Sequence, residues 1–288
     1  MTEAQQPSTQ QPGTQWAELR QVGFATLDHA AAVRTATDLL ALGPGFGDPL
    51  LDAMGLADFT APVGPDTYVE VLAPTTPDHS VARWLRRVGG ASGWVLSTQV
   101  PSLDGVRDRA AAHGVRVAVE TEAMGHRIVQ LHPLDVGVLL ELDEFVPREA
   151  WFWDELPGAR AAHAARTSKA DDIVAVYIAV DAASDPGAPA AMARTWAAII
   201  GIDPPSPPAV TADAPALADA PALADGSALA SRTSLANGAA LAFGRRTIRF
   251  VPAQDGRTGI VAVDVHATDR DRVAGSSGHL CHTQIRFV

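Results

Sequence analysis

The sequence predicts an α+β protein of paired strand–helix–strand units, arranged as two tandem domains of which the second is degenerate. Three observations carry this. A strand followed by a glycine-bounded helix opens four segments of the 288-residue chain, a further strand closes each, and the phrase IRFV recurs at 248–251 and 285–288. A unit of this kind leaves one sheet face bare and must pair with another to bury it, so four units make two domains. The expected division is a leader at 1–15, a first domain at 16–147, a linker at 148–170 and a second domain at 171–288.

The leader is Gln/Pro-rich and carries one charge, Glu3, a composition expected to stay disordered. "RQVGFATLDHAAAVRTATDLLALG" reads as a strand, Asp28 as N-cap, and a helix closing at Gly43. "GPGFGDP" at 43–49 has no strand leading in and no helix leading out, so it reads as a loop over the unit rather than a phosphate cradle. "TYVEVLAP" closes the first unit. "SGWVLSTQVPSLDGVRDRAAAHGV" repeats the plan from a strand at 93–100 to Gly114, and "GVLLELDE" closes it. The aromatic run Trp151, Phe152, Trp153, between Pro147 and Pro157, reads as a lid or as a plug docking the linker onto one domain.

"DDIVAVYIAVDAASDPGAPAAMARTWAAIIG" opens the third unit with a helix ending at Gly201, and "RTIRFVP" closes it. Inside it lies "ADAPALADAPALADGSAL" at 212–229; the stretch from 203 to about 235 is expected to be a flexible insert, too polar and proline-rich to bury itself. "GIVAVDVHATDRDRVAG" opens a shortened fourth unit that "HTQIRFV" closes.

A net charge of −11 argues against nucleic acid or an anionic membrane as partner, since both want a basic surface. No apolar run approaches the roughly 20 residues of a membrane helix, and the leader lacks the basic and apolar regions of a signal peptide. One cysteine, Cys281, excludes an internal disulfide framework. These features point to a cytoplasmic protein, with monomer and homodimer both open.

The βαβββ unit, and phrases such as "YVEVLAPTTPDHSVARWL", "GGASGWVLSTQVPSLDGVRDRAAAHGV" and "RIVQLHPLDVGVLLELDE", resemble the vicinal oxygen chelate superfamily, and within it the glyoxalase-like (glyoxalase/bleomycin-resistance-like) proteins. The resemblance implies a cup closed by two βαβββ modules. It also implies lyase or isomerase chemistry on a small oxygenated molecule, or metal-free sequestration of one, and four inward positions for a divalent metal. The last-strand positions fall on Glu70 and Glu141; Gln21 and Val95 stand where the family usually has histidines. What remains, Gln21, Glu70 and Glu141, is an all-oxygen set that suits Mg or Mn better than Zn or Ni, and a metal cofactor is therefore disfavoured. In the second domain the matching positions are Ala175, Ala262, Arg249 and Arg286, which exclude a cation there; the arginines either face solvent or meet an anion or nearby acids.

Without a metal, Glu70 and Glu141 become the candidate catalytic pair, because two carboxylates in an apolar cup cannot both ionise cheaply. Gln21, Tyr68, Ser97, Gln99 and Arg127 are the candidate ligand-binding residues. The alternative is that Arg127 or Gln99 merely satisfies the two carboxylates.

Overall fold

The structure is a computed structural model and describes residues 15–205, 239–269 and 273–288. The leader, expected to be disordered, lies outside these residues except for its last position, as does the expected flexible insert from residue 206 onward.

The first sheet has seven strands in the order β2-β3-β1-β4-β7-β6-β5. They are β1 (Glu18–Thr26), β2 (Leu56–Pro62), β3 (Tyr68–Pro74), β4 (Ala91–Val100), β5 (Val117–Ala123), β6 (His126–Leu131) and β7 (Leu139–Glu144). The second sheet has six: β8 (Ala170–Val180), β9 (Ala239–Phe243), β10 (Arg246–Pro252), β11 (Gly259–Ala267), β12 (Ser277–Leu280) and β13 (Thr283–Phe287), in the order β12-β13-β11-β8-β10-β9.

In every unit the opening strand runs parallel to its closing strand: β1 with β3, β4 with β7, β8 with β10, β11 with β13. The opening strands then meet in antiparallel pairs, β1 with β4 and β8 with β11. This is the paired-module α+β architecture expected. The first unit falls one strand short, and its missing strand survives as a single bridge between Phe46 and Thr60. So "GPGFGDP" is not only a loop, and a short helix, α2 below, does follow it.

The helices are α1 (His29–Leu40), α2 (Pro49–Ala53), α3 (Ser80–Arg87), α4 (Val106–Ala112), α5 (Pro133–Val136), α6 (Pro157–Ala164) and α7 (Ala188–Ile200). Asp28 caps α1 as expected, accepting from the Ala31 amide at 3.0 Å. Ala32, Ala36 and Leu40, spaced by four, put the buried stripe of α1 on the sheet. The chain leaves α7 through Gly201 at φ 88°, a left-handed position that glycine takes without strain.

Alternation along the strands gives each sheet two faces. Val22, Phe24, Val69, Val71, Leu96, Leu140 and Leu142 from the first sheet share one hydrophobic core with Val176, Ile178, Ile248, Phe250 and Val263 from the second. The sheets meet closely enough that a Cβ on Gly93 would lie 2.5 Å from the Cβ of Ile260.

At one end the contact is ionic. Arg246, fully buried, donates from Nη2 to Asp66 Oδ1 at 2.6 Å, from Nε to Asp172 Oδ1 at 2.9 Å and from Nη1 to the Leu19 carbonyl at 3.1 Å. Arg20 adds a second guanidinium on Asp66 at 3.1 Å. A buried arginine needs such partners, and here they come from both sheets.

Candidate functional site

The other face of the first sheet is the cup. Residue pairing sets its floor: Glu70 and Val95 both lie opposite Gly23, Ser97 lies opposite Glu141, and Gln21 lies opposite Tyr68 and Ser97. Gly23 is a glycine for a steric reason. A Cβ there would stand 2.4 Å from Val95 Cγ1 and 2.9 Å from Glu70 Oε2, so only a bare backbone lets these side chains converge.

The cup is closed by the linker. A 3-10 turn at Phe152–Glu155 and α6 lay Trp151, Phe152, Trp153 and Ala159 against Tyr68, Ile128 and Phe145. Phe46 completes the cluster, its ring centroid 5.3 Å from that of Trp153. Trp153 Nε1 donates to Gln21 Oε1 at 3.1 Å, fixing the plug to the floor. The aromatic run is therefore a plug, as one of its two readings had it.

Beneath the plug four carboxyls gather on one face, and desolvation dominates them all. Glu70 is pushed up to about 8 by burial first and then by the charges of Asp58 and Glu141, with a hydrogen bond from the Gln21 side chain opposing. Burial raises Asp58 to about 6 despite the Asp48 amide it accepts. Asp143, with no exposed surface, is raised well above the usual carboxylate range by burial and then by Glu141, and neither of its oxygens has a hydrogen-bond partner among the described residues. Glu141 rises too, again by burial, held back by Gln130 Nε2 at 2.6 Å and Ser97 Oγ at 2.8 Å. Glu70 therefore stays largely protonated near neutrality and can donate a hydrogen bond, and Asp143 is driven the same way.

The cup thus unites Gln21, Tyr68, Glu70, Ser97 and Glu141. Tyr68 is engaged by the linker: its hydroxyl lies 2.5 Å from His163 Nε2. Burial raises the phenol's pKa and lowers the imidazole's, so the hydrogen bond joins two uncharged groups.

Two expected ligand contacts are placed otherwise. Gln99 is fully buried at the rim, where its Oε1 accepts from Arg20 Nε at 2.7 Å and its Nε2 donates to the Phe145 and Pro147 carbonyls. It is a pin for the linker. Arg127 does not reach the cup, because on β6 it alternates with Ile128 and Gln130, and it pairs instead with Asp104 at 3.0 Å and Glu144 at 3.3 Å. The carboxylate partners are consequently Gln21, Gln130 and Ser97, not Arg127 or Gln99. Gln130 and Asp143 went unread although the alternation of "LLELDE" and "RIVQL" places both on the face of Glu141.

These residues do not fit a divalent metal. Val95 has no donor, the Gln21 oxygen is taken by Trp153, both Glu141 oxygens are taken, and Glu70 holds its proton to about pH 8. No group of three or more His, Cys, Asp or Glu side chains among the described residues is placed to hold an ion.

No protein-family model and no curated protein matches the chain. Among solved structures it is similar to methylmalonyl-CoA epimerase from Mycobacterium tuberculosis, at 28% identity over 46% of this chain and 89% of that one, with a TM-score of 0.37. A variant of the Streptomyces coelicolor methylmalonyl-CoA epimerase matches at 26% identity over 45% of this chain and 97% of that one, TM-score 0.36. A triple mutant of 4-hydroxymandelate synthase from Streptomyces coelicolor matches both sheets, covering 88% of this chain and 71% of that one at 15% identity, with a TM-score of 0.58. The last likeness establishes the fold: it is that of the vicinal oxygen chelate superfamily, as the sequence resemblance implied.

Proposed function

We propose that the first-sheet cup binds a small oxygenated molecule without a metal. The observation that carries this is the state of the metal positions: one lacks a donor atom, two are engaged within the chain, and the last, Glu70, keeps its proton. A protonated Glu70 donates to a ligand oxygen, and Tyr68 supplies an aromatic wall. Entry requires residues 151–154 to leave the cup, which breaks the Trp153–Gln21 hydrogen bond and exposes Trp153 to water. Ligand binding is therefore read directly by tryptophan fluorescence, using small aromatic and aliphatic hydroxy-acids and diols as probes. Stoichiometric Mn, Fe, Ni or Zn in protein purified without chelators overturns the metal-free reading.

One observation favours a catalytic version of the same site. A carboxyl poised near 8 beside a second, coupled carboxyl is suited to proton transfer, the step a lyase or isomerase needs. Glu70 then gives a proton to the ligand's oxygen while Glu141 accepts one. Incubation of ligand and protein in D2O separates the two versions: proton transfer at carbon introduces deuterium, and Glu70→Gln stops it, whereas a sequestering protein returns the ligand unlabelled.

A further inference from the structure

The second sheet repeats the register of the first with its charges inverted. Arg249 on β10 lies opposite Tyr177 as Glu70 lies opposite Gly23, and Arg286 on β13 lies opposite Asp264 as Glu141 lies opposite Ser97. The equivalent face therefore carries two guanidiniums where the first carries two carboxyls. α7 does not cover it, because Trp196 turns that helix toward Phe243 and Phe250 on the opposite face.

The four side chains form an incomplete network. Arg286 donates from Nε to Asp264 Oδ1 at 2.5 Å and lies over the Tyr177 ring at 4.3 Å from its centroid. The Tyr177 hydroxyl donates to Asp264 Oδ2 at 2.9 Å, so both oxygens of the single acid are used. Arg249 reaches the same ring at 6.0 Å, and its Nε is buried without a hydrogen-bond partner among the described residues. Two positive charges meet one negative, and the surplus is the group with the unmet donor. Buried donors are almost always satisfied, and a buried guanidinium nitrogen without an acceptor is costly to keep.

We infer that this face is an anion site in which Arg249 binds a small oxyanion, a carboxylate or phosphate group, with Arg286 as second donor and Tyr177 as the platform between them. Charge and geometry agree on the ligand class. One unpaired guanidinium calls for a compact acceptor with two or more oxygens, which a planar fork meets edge-on.

The test is calorimetric titration of the full chain with inorganic phosphate and separately with succinate, at low ionic strength and with chloride as control. Saturable binding of at least one, weakened about tenfold or more in Arg249→Gln, is the expected result, since a charge-assisted bidentate contact is lost. The tighter of the two anions identifies a phosphorylated or a carboxylic ligand. Should Arg249→Gln fail to fold, phenylglyoxal labelling of the unaltered protein decides: the bound anion protects Arg249 from modification. No binding of either anion at about 10 mM, the weak end of single-site affinities, overturns the inference. So does binding that leaves Arg249 as reactive as before.

Discussion

Trp153 Nε1 and Gln21 Oε1, 132 positions apart in sequence, are joined by a hydrogen bond of 3.1 Å inside the first-sheet cup. Both side chains are buried, so removing the donor strands an amide oxygen. Trp153→Phe is expected to lower stability by about 1–3 kcal/mol, the cost of a buried polar group left unpaired. Trp153→Ala is expected to cost about 3–5 kcal/mol, since an aromatic cavity is added. Urea unfolding of the two variants checks both, and a Trp153→Phe loss indistinguishable from zero would remove the bond from any role in fixing the plug.

Glu70 sets a pH dependence with a defined sign. The folded protein holds its proton to about pH 8, while the unfolded chain releases it near the ordinary 4.5. Between those values the native state binds the extra proton, so stability falls as pH rises through this window and levels off above it. The ceiling from a shift of this size is on the order of 5 kcal/mol. Asp58, raised to about 6, adds a smaller fall between the ordinary carboxylate range and that value. In Glu70→Gln the slope between pH 6 and 8 should flatten; an unchanged slope would mean that Glu70 ionises normally.

Val95 and Glu70 converge over Gly23, which makes position 95 a place to build a metal ligand beside Glu70. The double change Gln21→His and Val95→His brings two imidazoles to a face that already holds Glu70 and Glu141. It should create measurable Zn or Ni affinity where the starting protein shows far less. Equilibrium dialysis measures this directly. No gain would show that the side chains at positions 21 and 95 do not aim at the carboxyls.

Arg246 and Arg245 reach the same two acids with different consequences. Arg246 is fully buried against Asp66 and Asp172, whereas Arg245 is 56% exposed on the same pair. Arg246→Ala should therefore cost about 3 kcal/mol or more, by leaving buried charge behind. Arg245→Ala should cost less than about 1 kcal/mol, with a dependence on salt. Equal losses would mean that the network is solvated.

Much of the architecture was written in local pattern. Asp28, Gly201 and the existence of the opening and closing strands follow from capping chemistry, glycine placement and period-two alternation, each a property of a few neighbouring residues. Glu70 and Glu141 were singled out by the family resemblance, and strand alternation added only that Ser97 shares their face. What escaped depends on distant chain. The partner of Trp153 could not be read from the aromatic run, nor could the use of Gln99 by Arg20. Arg127 was misplaced by the choice of face on β6, an error that a shift of one residue produces and that moves a side chain from the cup to the outside. In the second sheet the two arginines were visible, but Tyr177 and Asp264, which organise them, were not singled out.

The contact of Gly93 with Ile260, together with the salt-linked end at Arg246, makes the two sheets a matched pair of surfaces. One half supplies the bare backbone and the other the side chain that fills it. Asp66 and Asp172 likewise answer to a single arginine across the divide. A chimera that joined either half to a foreign one would bring a mismatched surface to the seam, with a steric clash at one end and an unpaired buried charge at the other.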